Sequence, residues 1–355
     1  RVLSISRTKK CPCLGLMASS ASSEPPFQLV DQHDQVEHAI AAINREELIA
    51  VDCEGVNLGR DGSLTVVAIG TRTDTFLFDV LKLGARVFDR GLREILEDVN
   101  TVKLMFDCRG DSDALWHHNK VRLANVMDIQ LMQVLYERRH PDEKPQAQKD
   151  TEKRFEEKGK KFKKQKALNE WPRVRGLAQC IAWYLNDASI LATKTSCSLP
   201  HADGSTDHEM WGKRPITRDM QLYAAIDVYV LFPLYDKFKR GITYENMKKA
   251  KRGSDRYAGF FRDRKVIAPN PYECHNLLHM YILDDQPASR RKKKCPVCGF
   301  SLPSADINRD TGLCKLCRLK KFKIESAKIG KEKWEEHERK RLEKEQEELE
   351  EQEQD

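Results

Sequence analysis

At 355 residues, with a net charge of +7 and a pI near 8.7, the chain has room for one sizeable domain plus smaller appendages. Charged residues at 33% and a mean hydropathy of −0.65 exclude one compact body throughout, and no apolar run approaches the ~20 residues that cross a bilayer. The positive balance fits a polyanionic partner, and eleven cysteines, an odd number with two CxxC pairs among them, fit a reducing compartment and a metal better than a disulfide framework.

Residues 1–27 (RVLSISRTKKCPCLGLMASSASSEPPF) are basic, then Ser/Ala-rich, then Pro-Pro, and read as a disordered leader. The Arg- and Ser-rich start is slightly like a transit peptide, with Met17 as an alternative initiator. No secretory h-region follows it, so an intracellular location is expected, nuclear or cytoplasmic, with mitochondrial import as a weaker option.

From residue 28 the pattern is globular. DQHDQVEHAIAAINREE carries apolar residues at helical spacing behind a capping Asp. LIAVDC, SLTVVAIGT and DTFLFDV are short β-rich runs separated by turn signals such as Asp61-Gly62. VFDRGLREILEDVN then predicts a helix, VKLMFD a strand, SDALWHHN a helix, LANVMDI a strand and LMQVLYERR a helix. Three strands followed by alternating helices and strands predict an α/β layered domain over 28–240.

Residues 137–170 interrupt this with a stretch dense in both charge signs and poor in large apolar residues, an exposed insertion whose GKKFKKQK end reads as a solvated face, with lysine contact to phosphates as the weaker option. VRGLAQCIAWYL and RDMQLYAAIDVYVLFPLYDKF are helical, and TKTSCSLPHADGSTDHEMW between them reads as a loop bordering a cleft. The extension 241–289 mixes cations with Tyr and Phe, a composition suited either to base stacking or to packing against the main domain.

Two constellations carry chemistry. Cys295, Cys298, Cys314 and Cys317 are spaced C-x2-C-x15-C-x2-C, four thiolates able to enclose one tetrahedral Zn²⁺. Four protein ligands close such a site, so it is expected to be structural, within a module over 290–325. Its flanks, Arg290 to Lys294 and Arg318 to Lys323, favour a nucleic-acid-contacting finger over a protein-docking one. Cys274, His275 and His279 upstream lack ligand spacing and are expected to pack. The tail 326–355 reads as a solvated charged helix with too few apolar positions for a coiled coil, offering a protein partner a weak face at most.

The second constellation is acidic. Asp52 and Glu54 lie two apart on a strand, so both side chains leave the same sheet face while Cys53 points the other way. An acidic pair directly after LIAV is costly to bury unless neutralised. Tyr223 and Asp227 share a helix face, and Asp227 sits within an apolar stretch. Asp111 opens a helix with Asp107 and Asp113 beside it, and any of the three has the chemistry of a cap.

In order, spacing and context these segments resemble the DnaQ-like 3′–5′ exonucleases of the DEDD class. The Asp-x-Glu of Asp52-Cys53-Glu54 and the Tyr-x-x-x-Asp of Tyr223 and Asp227 match the tyrosine-bearing subclass that includes ribonuclease D; a histidine subclass would need His where Leu222 stands. Lys103 to Phe106 and Leu115 pick out Asp111 as the second-motif acid, WGKRPITRDMQLYAAID looks like the ribonuclease D approach to the third motif, and DCEGVNLGRDGSLTVVAIGT is closest to the Egalitarian-like branch. Phe106, where such sequences tend to carry His, and the charged insertion are departures that bear on substrate choice.

The resemblance implies a ribonuclease H-like mixed sheet flanked by helices, with a small zinc-ribbon or treble-clef module and a charged tail helix. It also implies a two-metal phosphodiesterase using Mg²⁺ or Mn²⁺: Asp52, Glu54 and Asp227 on one ion, Asp52 on the second, Asp111 acting through water, and Tyr223 orienting the attacking water. RNA is the favoured substrate, with single-stranded DNA as the other option. Two further readings stay open, a catalytically silent nucleic-acid-binding adaptor of the Egalitarian-like type and a protein-interaction scaffold built on the zinc module.

Overall fold

The computed structural model describes residues 24–143, 172–197, 208–264 and 277–354. The expected leader up to residue 23, most of the charged insertion, and Cys274 and His275 lie outside these residues.

Six strands form one mixed sheet: β1 Gln28–Val30, β2 Leu48–Glu54, β3 Val66–Gly70, β4 Thr75–Asp79, β5 Val102–Met105 and β6 Val126–Asp128. Their spatial order is β1-β4-β3-β2-β5-β6, with β2 antiparallel to β3, β3 antiparallel to β4, and the remaining neighbours parallel. β2 is therefore central. Ile49, Val51 and Cys53 bury one of its faces, while Asp52 and Glu54 stay half-buried on the other. The short strand β1 precedes the three-strand run and went unread in the sequence, because three residues are too few to show alternation.

Helices cover the sheet: α1 His33–Ile43, α2 Val80–Leu83, α3 Leu92–Glu97, α4 Arg109–Asn119, α5 Ile129–Arg139, α6 Leu177–Cys180, α7 Ala188–Cys197, α8 Arg218–Tyr229, α9 Leu231–Gly241 and α10 Tyr244–Ala258. VFDRGLREILEDVN is two pieces, a 3-10 turn and α3. Gly91 separates them with φ 110°, where a side chain would be strained and would press on Ile40. α5 continues to Arg139, so the insertion begins later than residue 137. Glu137 belongs to the packed body, accepting hydrogen bonds from Arg175 Nε (3.2 Å) and the Tyr184 hydroxyl (2.9 Å). The long amphipathic run RDMQLYAAIDVYVLFPLYDKF also divides, into α8 and α9 around Val230. Pro233 lacks the N–H an interior helical position would supply, which suits it to the first turn of a new helix.

The described part of the extension, 241–264 and 277–289, packs. Tyr257 of α10 is fully buried, Ser254 Oγ receives the Asp128 N–H (2.8 Å), and Ser112 Oγ donates to Ala258 O (2.6 Å). Of its described aromatics, Tyr244 is the exposed one. Beyond it, strands β7 Lys292–Lys294 and β8 Ser301–Pro303 form an antiparallel hairpin, and helix α11 spans Lys315–Gln354. The boundary expected at 325 falls inside this helix, so Cys317 of the second cysteine pair and the tail share one element, with Cys314 just before it. A hairpin followed by a helix carrying Cys317 is the treble-clef arrangement rather than the all-strand ribbon. No helix among the described residues is long and apolar enough to cross a membrane.

Helix α8 lies on β2, β3 and β4, and its closeness depends on small residues below it. A Cβ on Gly70 would stand 3.2 Å from Val228 Cγ2, beside the Ala50 Cβ at 3.6 Å. Gly70 and Ala50 are paired across β2 and β3, two residues along β2 from Asp52. We expect Gly70→Val to overpack this contact and cost ~1–3 kcal/mol, read as a lower urea midpoint at unchanged m-value.

Candidate active site

β2, α4 and α8 bring the acidic residues together. Carboxylate oxygens of Asp52, Glu54 and Asp227 all lie within 4.8 Å of one another. The pair on β2 reaches this point because residues two apart leave the same face. Asp227 reaches it because α8 crosses that face over Gly70 and Ala50. Asp111 stands in the first turn of α4, buried, where its Oδ1 accepts the Cys53 N–H at 2.9 Å. That bond ties the acid to the strand residue between Asp52 and Glu54.

The two acids flanking Asp111 are engaged elsewhere. Asp107 binds Arg109, whose guanidinium stacks over Tyr257 at 4.8 Å. Asp113 holds Arg60 through its side chain (2.7 Å) and backbone N–H (2.8 Å). Among Asp107, Asp111 and Asp113, only Asp111 adds its charge to those of Asp52 and Glu54.

Tyr223, one turn before Asp227, packs against Trp211 with the rings tilted at 59° and their centroids 6.3 Å apart. The segment before α8 is anchored by Arg214, which forks onto buried Asp79 with two 2.7 Å contacts and also binds Thr65 O. Arg214 thus joins the approach to the third motif to the end of β4.

Lys194 was not recognised in the sequence, where its segment reads as a loop. The segment instead forms α7, and the nearly buried Lys194 ammonium bonds Asp227 Oδ1 and lies 3.8 Å from the Tyr223 ring centroid. A single cation within the otherwise neutral run ASILATKTSC was the available signal. Helical spacing there is masked by Thr and Ser, which also favour loops.

The electrostatics follow from crowding. Desolvation, then the charges of Glu54, Asp111 and Asp227, hold Asp52 well above the usual carboxylate range. Desolvation and Asp227 do the same to Glu54. Desolvation also raises Asp227, against the lowering pull of Lys194, and pushes Asp111 up to about 7. Burial works to depress the Lys194 ammonium, but Asp227 and Tyr223 together more than offset it and the group stays charged. The Asp227 charge and desolvation lift Tyr223 to about 12, so its hydroxyl keeps its proton at neutral pH. Such a cluster of hard oxygens, reluctant to ionise together, fits divalent cations of the Mg²⁺ or Mn²⁺ type.

The second cluster is separate. Sγ atoms of Cys295, Cys298, Cys314 and Cys317 also lie within 4.8 Å of one another, with Cys298 and Cys314 3.9 Å apart. The Cys314 N–H points at Cys295 Sγ and the Cys317 N–H at Cys314 Sγ, each at 3.4 Å. His279 is buried beside this module, its ring 4.0 Å from that of Phe300, and is not among the grouped ligands.

Residues 27–143 and 147–243 match the 3'-5' exonuclease family model, more than half of the chain, and the protein belongs to that family. Among curated relatives, the chain is 36% identical over 132 residues to the piRNA biogenesis protein EXD1 of Mus musculus, covering 37% of this chain and 22% of that protein. To the Xenopus laevis EXD1 it is 28% identical over 215 residues, covering 59% and 42%. The chain thus spans less than half the length of either relative. Among solved structures, Trypanosoma brucei RNase D in complex with RNA U12 superposes with a TM-score of 0.53 at 19% identity, covering 82% of this chain and 83% of that one. The likeness establishes a shared RNase D-type fold.

The raised acid pKa values set a pH dependence. An acid whose folded pKa exceeds its unfolded value near ~4 favours folding while protonated. For Asp111 that contribution is complete below about pH 4 and lost as pH rises through about 7. In EDTA, Tm should therefore fall between about pH 5 and pH 8. The fall should be smaller in Asp111→Asn, which keeps the acceptor for Cys53. Added Mn²⁺ should raise Tm more at pH 8 than at pH 5, because metal binding displaces protons; equal increments would contradict the assignment.

Proposed function

We propose that the protein is a metal-dependent 3′–5′ exonuclease acting on RNA. The supporting observation is the convergence of Asp52, Glu54 and Asp227 within 4.8 Å, with Asp111 tied to the same strand and Tyr223 one turn away. RNA is favoured over single-stranded DNA because the T. brucei RNase D neighbour was captured with RNA and the EXD1 relatives are named for piRNA biogenesis.

Asp52, Glu54 and Asp227 would hold the divalent ions, with Asp111 steadying the site through the Cys53 N–H. The ions, when bound, supply charge neutralisation at the phosphate and a more acidic water. The chain's own groups do the rest. Asp227 and Glu54 fix the cluster at the cleft. Tyr223, protonated at neutral pH, presents a hydroxyl able to orient a water or a phosphate oxygen. Lys194 holds a positive charge between Asp227 and Tyr223, where it limits repulsion among the acids and attracts an anionic chain end. Trp211 and Arg214 keep the entry to α8 in place.

The four cysteines would hold a structural Zn²⁺. Tetrahedral Zn–S bonds of about 2.3 Å place sulfurs about 3.8 Å apart, against the 3.9 Å between Cys298 and Cys314. Four sulfurs gathered this closely offer one cation a complete set of ligands.

With 3′- and 5′-labelled RNA and Mn²⁺, shortening from the 3′ end is expected. Asp52→Ala and Asp227→Asn should lower the rate at least ~10³-fold, and Tyr223→Phe ~10²-fold at little-changed KM. Shortening by Asp227→Asn at the wild-type rate would overturn the proposal. Native mass spectrometry should find one zinc per chain, lost in Cys314→Ser.

A further inference from the structure

The zinc module is fixed to the exonuclease body, and it carries a strip of cations that the body leaves unused. Two sets of contacts fix it. Arg264, just after α10, donates to the carbonyl of Cys298 in the first knuckle, and its guanidinium stacks over Phe260 (4.0 Å) and Phe300 (4.3 Å). Phe260 and Phe300 are themselves 4.8 Å apart. Arg256 of α10 binds the carbonyls of Tyr281 (3.1 Å) and Ile282 (3.0 Å), and the Tyr281 hydroxyl donates to Asp306 Oδ2 at 2.6 Å.

The first set continues toward the candidate active site. Arg60, in the loop after Glu54, donates to the carbonyls of Phe261 and Arg264 (2.8 Å) and grips Asp113 on α4, two residues from Asp111. Knuckle, α10 terminus, Glu54 loop and α4 are therefore one bonded unit.

On this fixed module Arg290, Arg291 and the three residues of β7, Lys292, Lys293 and Lys294, are all exposed. None of the five pairs with an acidic side chain among the described residues. Asp306 and Asp310 are the acids within 290–321, and Asp306 is taken by Tyr281. A tetrathiolate zinc centre would leave a charge of about −2, and Arg264 donates to the Cys298 carbonyl of its first knuckle. Five unpaired cations in sequence, on a hairpin edge, repel one another unless an external polyanion neutralises them. Their spacing along an extended strand suits a backbone of regularly placed phosphates and reads no base.

We propose that Arg290–Lys294 is a second binding site, for the phosphodiester backbone of a single-stranded RNA whose 3′ end occupies the carboxylate cleft. The site rests on the nuclease reading for its ligand and on the rigid module for its register. It adds affinity for long chains and nothing for chains too short to reach it.

The test uses the full chain carrying Asp227→Asn, so that binding is read without cleavage. Fluorescence anisotropy follows oligo(U) of about 20 and about 4 nucleotides between about 50 and 200 mM salt. Lys292→Gln/Lys293→Gln/Lys294→Gln should weaken the long oligomer about tenfold. It should also reduce the salt slope by about 2, at roughly 0.7 per phosphate contact on a single strand. The short oligomer should be unaffected, with Tm and zinc content held. Arg290→Gln/Arg291→Gln, which leaves β7 intact, should act in the same direction. Unchanged long-oligomer affinity and slope in both variants would overturn the proposal, and capture of polyglutamate instead would assign the strip to an acidic protein. Failure of the nuclease reading is read apart from this, as absence of shortening of either length by the chain with Asp227 intact.

Discussion

The mutual repulsion of carboxylates gathered in a poorly solvated cleft is the constraint around which this protein is arranged. Asp52, Glu54 and Asp227 are close enough to share a cation; desolvation holds each above the usual acid range, and neighbouring acids add to this for Asp52 and Glu54. Such a cluster is unstable by itself, so the surroundings must force it together. Three devices do so: the period of β2, the Asp111 bond across to Cys53, and the small residues Gly70 and Ala50 that let α8 approach. Lys194 relieves part of the repulsion from within the protein.

Further from the cleft, arginines serve as joints between elements. Arg214 ties the approach to α8 onto the end of β4, and Arg60 ties the loop after Glu54 to α4 and to the end of α10. Arg264 extends that chain of contacts into the first CxxC turn. Each guanidinium satisfies several acceptors at once, a property of its planar fork that an ammonium lacks. The consequence is that the cysteine module is braced against the domain containing the acids.

Much of this arrangement could be read along the chain. Alternation and apolar runs located β2 to β6, and motif order brought Asp52, Glu54, Asp111, Tyr223 and Asp227 forward as candidates. Where the reading failed, the cause was local ambiguity. β1 is too short to alternate, Thr and Ser disguised α7 as a loop, and α8 and α9 looked continuous because apolar spacing persists through Val230. The choice of Asp111 over Asp107 and Asp113 rested on family spacing in the sequence. In the structure it rests on partners, since Arg109 and Arg60 occupy the other two.

Residue type and interval determined most of the elements and the two candidate ligand sets, and motif order pointed to the family, because period-two and period-3.6 patterns and CxxC spacing are short-range geometry. Which groups meet was decided by the tertiary structure alone. Lys194 finds Asp227 across 33 residues of chain, and Arg264 finds Cys298 across 34. Contacts of that kind depend on how helices settle on a sheet, and settling is governed by side-chain volumes summed over many elements, which no local pattern records.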